Sequence, residues 1–211
     1  MRTAGLLFFF ALSFNAFSQD IDFPDYRSKK ENFLRQRDAT IRNDLATFTM
    51  AGLDESMNKQ PLKTIPMTAF GDNLIVFEGN NIKVAVQAGG FNTSKHKLIY
   101  YNEKHLVKID NKPYYGTYGK LPASSLQSLT VVIDKDTVAI PPAALSDIYD
   151  LSFAYKDVSG IQRSQNRVYL SADNRTIYIY LLNRNNGGTE VTWVLRDKKY
   201  LQRVLDFNFL K

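Results

Sequence analysis

The chain has 211 residues, a formal net charge of +6, an apolar content of 44% and no cysteine. That apolar share is ordinary for a folded domain and excludes a disordered chain. The missing cysteines exclude a disulfide framework, a thiolate zinc site and lipid attachment through cysteine.

Residues 1–18 read as a secretory signal peptide. Arg2 supplies the positive start, Leu6 to Leu12 the short apolar run, and Ala16-Phe17-Ser18 the small residues before a cut at Gln19. The run is too short to span a bilayer, so the mature chain is expected in the periplasm or outside the cell, with no stable membrane anchor. An exported chain without disulfides relies on its packed core, which fits a bacterial envelope. In that setting a basic excess points to envelope protein or acidic polysaccharide and not to nucleic acid. Between Gly160 and Arg203 eight Lys or Arg stand against three acids, a density that suits a solvated surface.

Residues 19–66 read as an amphipathic helix and a linker. Ser28-Lys29-Lys30-Glu31 has capping-box spacing. Leu34, Ile41 and Phe48 recur every seven residues, and Leu45 joins them. This is one narrow stripe on a helix of about twenty residues. It is expected to lie across the following domain, with a dimer seam as the alternative. Asn58 to Pro66 is polar and proline-bearing and reads as the linker.

Residues 67–211 read as an antiparallel β-domain. Leu74 to Phe77 and Ile82 to Val86 flank the turn Gly79-Asn80-Asn81. Lys97 to Tyr101 and His105 to Ile109 flank Asn102-Glu103-Lys104, and Leu129 to Ile133 and Thr137 to Ile140 flank Asp134-Lys135-Asp136. Arg167 to Leu170, Thr176 to Leu182, Thr189 to Leu195 and Tyr200 to Phe209 complete the set. The fold expected is mainly β: an antiparallel β-sandwich or barrel-like domain of about ten short strands, preceded by an N-terminal α-helix. An outer-membrane barrel needs strands of about 9–11 alternating residues, and most of these are shorter.

The chain is poor in catalytic and metal-binding signals. The histidines are His96 and His105. With a three-residue turn at Asn102 to Lys104, His105 sits opposite Tyr101 and His96 falls at the far end, so the two share no metal. No metal or other cofactor is expected. Gly89-Gly90 and Gly187-Gly188 fit turns and not a phosphate loop, and no Gly-x-Ser-x-Gly elbow occurs. Asp136-Thr137-Val138 resembles the short acid–hydroxyl–aliphatic O-glycosylation signal of some exported bacterial proteins, and a hairpin turn also explains it.

Two stretches carry a resemblance. One runs from Val107 through Pro113-Tyr114-Tyr115-Gly116 to Gly119, followed by Leu121-Pro122; the other runs from Tyr178 through Trp193 to Phe207. Together they resemble a group of small exported proteins of Bacteroidetes-type bacteria, whose cleavage site is similar to Ser18-Gln19 here. The resemblance covers about half the chain and implies no activity or ligand set. The group often has Asp where this chain has Tyr118.

The last two hairpins allow a deduction about faces. With Leu182 opposite Thr189, Tyr178 faces Trp193 and Tyr180 faces Val191. With Asp197-Lys198 as the next turn, Leu195 faces Tyr200 and Trp193 faces Gln202. Alternation then collects Ile177, Ile179, Leu181, Val194, Leu201, Leu205, Phe207 and Phe209 on a core face. Tyr178, Tyr180, Trp193 and Tyr200 fall on the other face with Gln202, Asp206 and Asn208; Tyr178, Tyr180, Trp193, Tyr200 and Gln202 make a candidate binding platform of rings and polar groups. The alternative is that the helix or a second sheet covers this face. The functional expectation is a non-enzymatic exported β-domain binding an envelope protein or glycan. The competing reading is a glycosidase-like hydrolase using two carboxylates on a β-scaffold.

Overall fold

The computed structural model describes residues 36–48, 62–117, 119–183 and 189–207. The signal peptide, the Ser28 capping box, Leu34, Tyr118 and residues 58–61 of the linker lie outside the described residues. So do Asn208 and Phe209, and the side chains of Asp206 and Phe207.

The chain is mainly β, with several antiparallel sheets and one N-terminal helix, sandwich-like and not a closed barrel. Helix α1 spans Ala39–Phe48. Its N-cap is Asp38, whose Oδ1 accepts from the backbone N–H groups of Thr40 at 2.9 Å and Ile41 at 3.1 Å. Such a cap satisfies donors that have no partner inside the helix.

Sheet A contains β1 (Lys63–Ile65), β11 (Arg167–Leu170), β12 (Thr176–Asn183), β13 (Thr189–Arg196) and β14 (Lys199–Phe207), in that spatial order. Sheet B contains β2 (Met67–Phe70), β3 (Leu74–Gly79), β4 (Ile82–Gly90), β7 (Ser124–Ile133) and β8 (Asp136–Thr137), also in that order. Two hairpins stand apart: β5 (Leu98–Tyr101) with β6 (His105–Ile109), and β9 (Tyr155–Lys156) with β10 (Gln162–Arg163).

Local sequence explains the hairpins. The two-residue turns Asn80-Asn81 and Asp197-Lys198 take positive φ near 50–60°, and Asn102-Glu103 do the same inside the three-residue loop before His105. Paired positive φ matches the strand twist in two-residue turns, and it is tolerated best by short polar side chains. Sheet B is one-sided: Ile82, Val84, Val86 and Ala88 of β4 point into the core, and Lys83 and Gln87 point to solvent. Sheet A is covered on both faces, so all of Thr189 to Leu195 is buried.

The main core fills the space between the sheets. Ile75, Phe77, Val84, Val86 and Val131 of sheet B meet Val168, Ile179, Leu181, Val191, Trp193 and Leu195 of sheet A. A second cluster lies under the helix, where Ile41, Leu45 and Ala46 pack on Tyr178 and Val194. Burial at about 25 cal/mol per Å² of apolar surface makes these two interfaces the main source of cohesion.

Pro66 is the corner where the chain leaves sheet A and enters sheet B. Its carbonyl accepts from Glu78 N–H at 2.9 Å. Gly79 is required there, because a Cβ would come within 2.8 Å of Pro66 Cδ. Strand β1 therefore falls inside the stretch read from sequence as linker, and its partner is β11, with Lys63 opposite Leu170 and Ile65 opposite Val168.

Two register details correct the deduced C-terminal faces. Pairing of β12 with β13 begins at Asn183 opposite Thr189, so Leu182 faces Glu190, Tyr180 faces Thr192, Tyr178 faces Val194 and Ile179 faces Trp193. A connection shorter by one residue exchanges the faces of the whole partner strand. The Asp197-Lys198 turn and the Leu195–Tyr200 pair stand as expected, but the register then shifts. Val194 meets Gln202 and Trp193 meets Arg203, leaving Leu201 as an extra residue at a bulge, half exposed.

Candidate functional site

The structure separates the five candidate platform residues. Trp193 lies in the inter-sheet core at 0% exposure, and Tyr200 packs against that same core. Tyr178 at 0% and Tyr180 at 7% lie on the opposite face of sheet A, and Gln202 is half buried opposite Val194. The exposed platform of Tyr178, Tyr180, Trp193, Tyr200 and Gln202 is thus corrected: the second sheet covers one part, and α1 covers Tyr178 on the other.

Each buried ring has a structural partner. Trp193 Nε1 donates to Ala144 O at 2.8 Å, and Arg203 Nη1 donates to the same carbonyl at 3.1 Å. Arg203 also forks onto Asp147, with contacts of 2.5 and 3.0 Å, and its guanidinium lies 5.5 Å from the Tyr115 ring centre. Burial pushes the Tyr115 phenol well above its ordinary range. This constellation fastens the Pro142–Ala144 turn to sheet A. Such a buried bidentate pair orders structure.

Beneath the helix, Phe48 stacks on Tyr169 with ring centres 4.3 Å apart and meets Tyr180 edge-on at 5.8 Å. Tyr178 Oη donates to Asp44 Oδ2 at 2.6 Å, and Tyr180 Oη donates to Glu190 Oε1 at 2.9 Å. Burial raises the Asp44 carboxyl above its usual range, opposed by the Tyr178 hydrogen bond. Asp38, besides capping α1, forms an ion pair with Arg196 of β13.

The histidines serve a loop. His96 Nδ1 lies 2.7 Å from Asp110 Oδ2, and Asp110 Oδ1 accepts from Lys97 N–H at 2.8 Å. The His96 bond holds the Asp110 carboxyl below its ordinary range. His105 lies against Gly119, whose φ of +75° and missing Cβ make room for the ring. Among the described residues no group of three or more His, Asp or Glu is arranged to hold a metal ion.

A cleft of about 860 Å³ opens at the end of the sandwich where the turns of both sheets gather. Its floor is aliphatic: Ile82 and Ile133 from sheet B, Leu170 and Ile177 from sheet A. Its rim carries Asn80, Asn174, Lys63, Arg175, Asp134, Asp197 and Lys198. Most rim charges are paired. Arg175 forks onto Asp197 with both contacts at 2.8 Å, holding that carboxyl low. Lys198 Nζ reaches across the mouth to Asp134 at 2.7 Å and Asp136 at 3.2 Å, and it lowers the Asp134 pKa. Lys63 Nζ donates to Asn174 Oδ1 at 3.3 Å.

Sequence reasoning missed this cleft because its lining comes from five separate turns and strand ends. The one local signal is Lys63, a charge two residues before Ile65 on the inward side of β1. A smaller cleft of about 590 Å³ lies at the Pro66 corner beside Tyr155, Arg163 and Arg167. Among the described residues no helix is long and apolar enough to cross a membrane. Comparison with protein-family models, with curated proteins and with solved structures finds no match.

Proposed function

We propose that the chain is an exported, non-enzymatic β-sandwich module that binds a protein component of the cell envelope through the cleft at its turn-bearing end. The composition of that cleft carries the reading. An aliphatic floor under a rim of amides and paired charges suits an aliphatic side chain with its backbone. Sugars are usually held by stacking on exposed rings, and no ring lines this cleft. That favours protein over glycan within the expected partners.

The carboxylates of the rim support binding over hydrolysis. A glycosidase needs a carboxylic acid whose pKa is raised so that it can donate a proton. Asp134 and Asp197 are held low by Lys198 and Arg175. They are built to fix turns.

The test places a photo-crosslinking residue at Asn80 on the rim, or at Gln87 on the outer face of sheet B, in the native envelope. One defined protein adduct from Asn80 and none from Gln87 is expected. Hydrolysis of envelope polysaccharide by the purified chain, lost in Asp134→Asn, would instead establish the competing enzyme. Export has its own test: envelope protein should begin at Gln19 by intact mass, and full-length chain in the cytosol would contradict it.

A further inference from the structure

The cleft's ligand chemistry can be narrowed, and this step rests on the binding-module reading. Strand β1 has the inward alternation Lys63, Ile65. Ile65 is buried in the core, and Lys63, opposite Leu170, stands on the same side at the open mouth. An ammonium thus occupies the position where the pattern would place another aliphatic group, directly at the edge of an aliphatic floor.

Among the described residues Lys63 meets no carboxylate; its hydrogen bond goes to the neutral Asn174 side chain. The other rim cations, Arg175 and Lys198, already hold Asp197, Asp134 and Asp136. Lys63 is therefore the rim cation with no carboxylate on it among the described residues, although the rim cations and the carboxylates they face balance in number.

Lys63 also orients Asn174. Lysine is a donor only, so the amide turns its oxygen toward Nζ and presents its NH₂ group. Lys63 Nζ and Asn174 Nδ2 then supply two donors on the rim of the cleft that Leu170 and Ile177 also line. That pairing suits a carboxylate attached to an aliphatic group.

We propose that the cleft captures the C-terminal end of a partner polypeptide: its free carboxylate on Lys63 and Asn174, its last, aliphatic side chain over Leu170 and Ile177. Asn80 on the facing turn offers both a donor and an acceptor to the preceding peptide group. A simple fatty acid would leave such an amide unused. Recognition of a terminal carboxylate by convergent donors is a recurring mode of peptide binding.

The experiment titrates the isotopically labelled full chain with three probes: a short peptide ending in Leu with a free carboxylate, the same peptide as its C-terminal amide, and decanoate. The methyl signals of Ile82, Ile133, Leu170 and Ile177 report the site. The acid peptide should shift these methyls saturably, and the amide should bind about tenfold more weakly or worse, as expected for loss of a charge-assisted hydrogen bond. Lys63→Gln should weaken the acid peptide to the level of the amide while the melting temperature stays near that of the parent.

Equal binding of acid and amide, binding of decanoate alone, or no saturable shift with any probe would each overturn the assignment. An inward lysine on an edge strand can also serve to discourage edge-to-edge pairing. If Lys63→Gln self-associates but binds the acid peptide unchanged, that role is the right one. Crosslinking at Asn80 without carboxylate preference would refute the carboxylate assignment and leave the binding module standing.

Discussion

Trp193 has two jobs at the residue scale: it fills the space between the sheets and donates its one N–H to Ala144 O. Trp193→Ala should cost about 3–5 kcal/mol, because the cavity cannot be refilled by a rigid sheet on either side. Chemical denaturation would measure the loss. Asp44 makes the opposite prediction. Its raised pKa means that the folded chain holds this proton more tightly than the unfolded chain, so its penalty is felt at neutral pH and relieved as pH falls through the folded pKa. Asp44→Asn keeps an acceptor for Tyr178 Oη and removes the buried charge. The variant should therefore melt higher than the parent near pH 7, and in thermal scans the gap should narrow as pH falls through the folded pKa and close once pH is below the ordinary carboxylate range. Asp173 and Asp38, which also bear on Asp44, stay unchanged in that comparison. Alternation made the inward aliphatic residues of β12, Ile177, Ile179 and Leu181, legible, but on β13 it put Val194 inward, where the structure has Val191 and Leu195. It could not place Trp193, because parity across a hairpin turns on a single loop residue.

At the element scale, the seven-residue stripe does what the sequence implied where it is described. Ile41 and Leu45 are buried against Tyr178 and Val194, and Phe48 stacks on Tyr169. The start of α1 was less legible. Asp38 is its N-cap, an Asx signal followed by Ala39-Thr40-Ile41. The same Asp38 forms the Arg196 ion pair, which ties the first turn of the helix to the sheet. Ile41→Asp would put an unpaired charge against Tyr178 and should lower stability by more than about 3 kcal/mol. Loss of α1 signal in circular dichroism together with a lower melting temperature is the expected readout. An unchanged melting temperature with dissociation of an oligomer would mean that the stripe is a seam between copies.

At the scale of the whole molecule, long-range ties join pieces that the sequence shows only singly. The Arg203–Asp147 fork connects β14 to the turn after Pro142, and its side chains are only 8% and 16% exposed. Arg203→Met leaves Asp147 buried without its cation and should cost about 3–5 kcal/mol. Adding Asp147→Leu should recover part of that loss, which a double-mutant cycle would resolve. The hairpins of sheet B and the C-terminal meander were legible because their turn residues advertise positive φ. The pairing of β1 with β11 was not, since a three-residue strand carries no local mark of its distant neighbour. The cleft was hidden for the same reason.

The corner at Pro66 also orders events in time. Strands β11 to β14 follow one another along the chain, as do β2, β3 and β4, so each half can close through short loops. Among the described strands of the two sheets, β1 alone must wait for a partner about half the chain away. Contacts of such separation form late because loop closure precedes any reward. Ile65→Val should therefore speed unfolding and leave the folding rate nearly untouched, a φ-value near zero in stopped-flow chevrons. Lys63 stands two residues from that position, so the rim of the cleft is completed by the last strand to arrive.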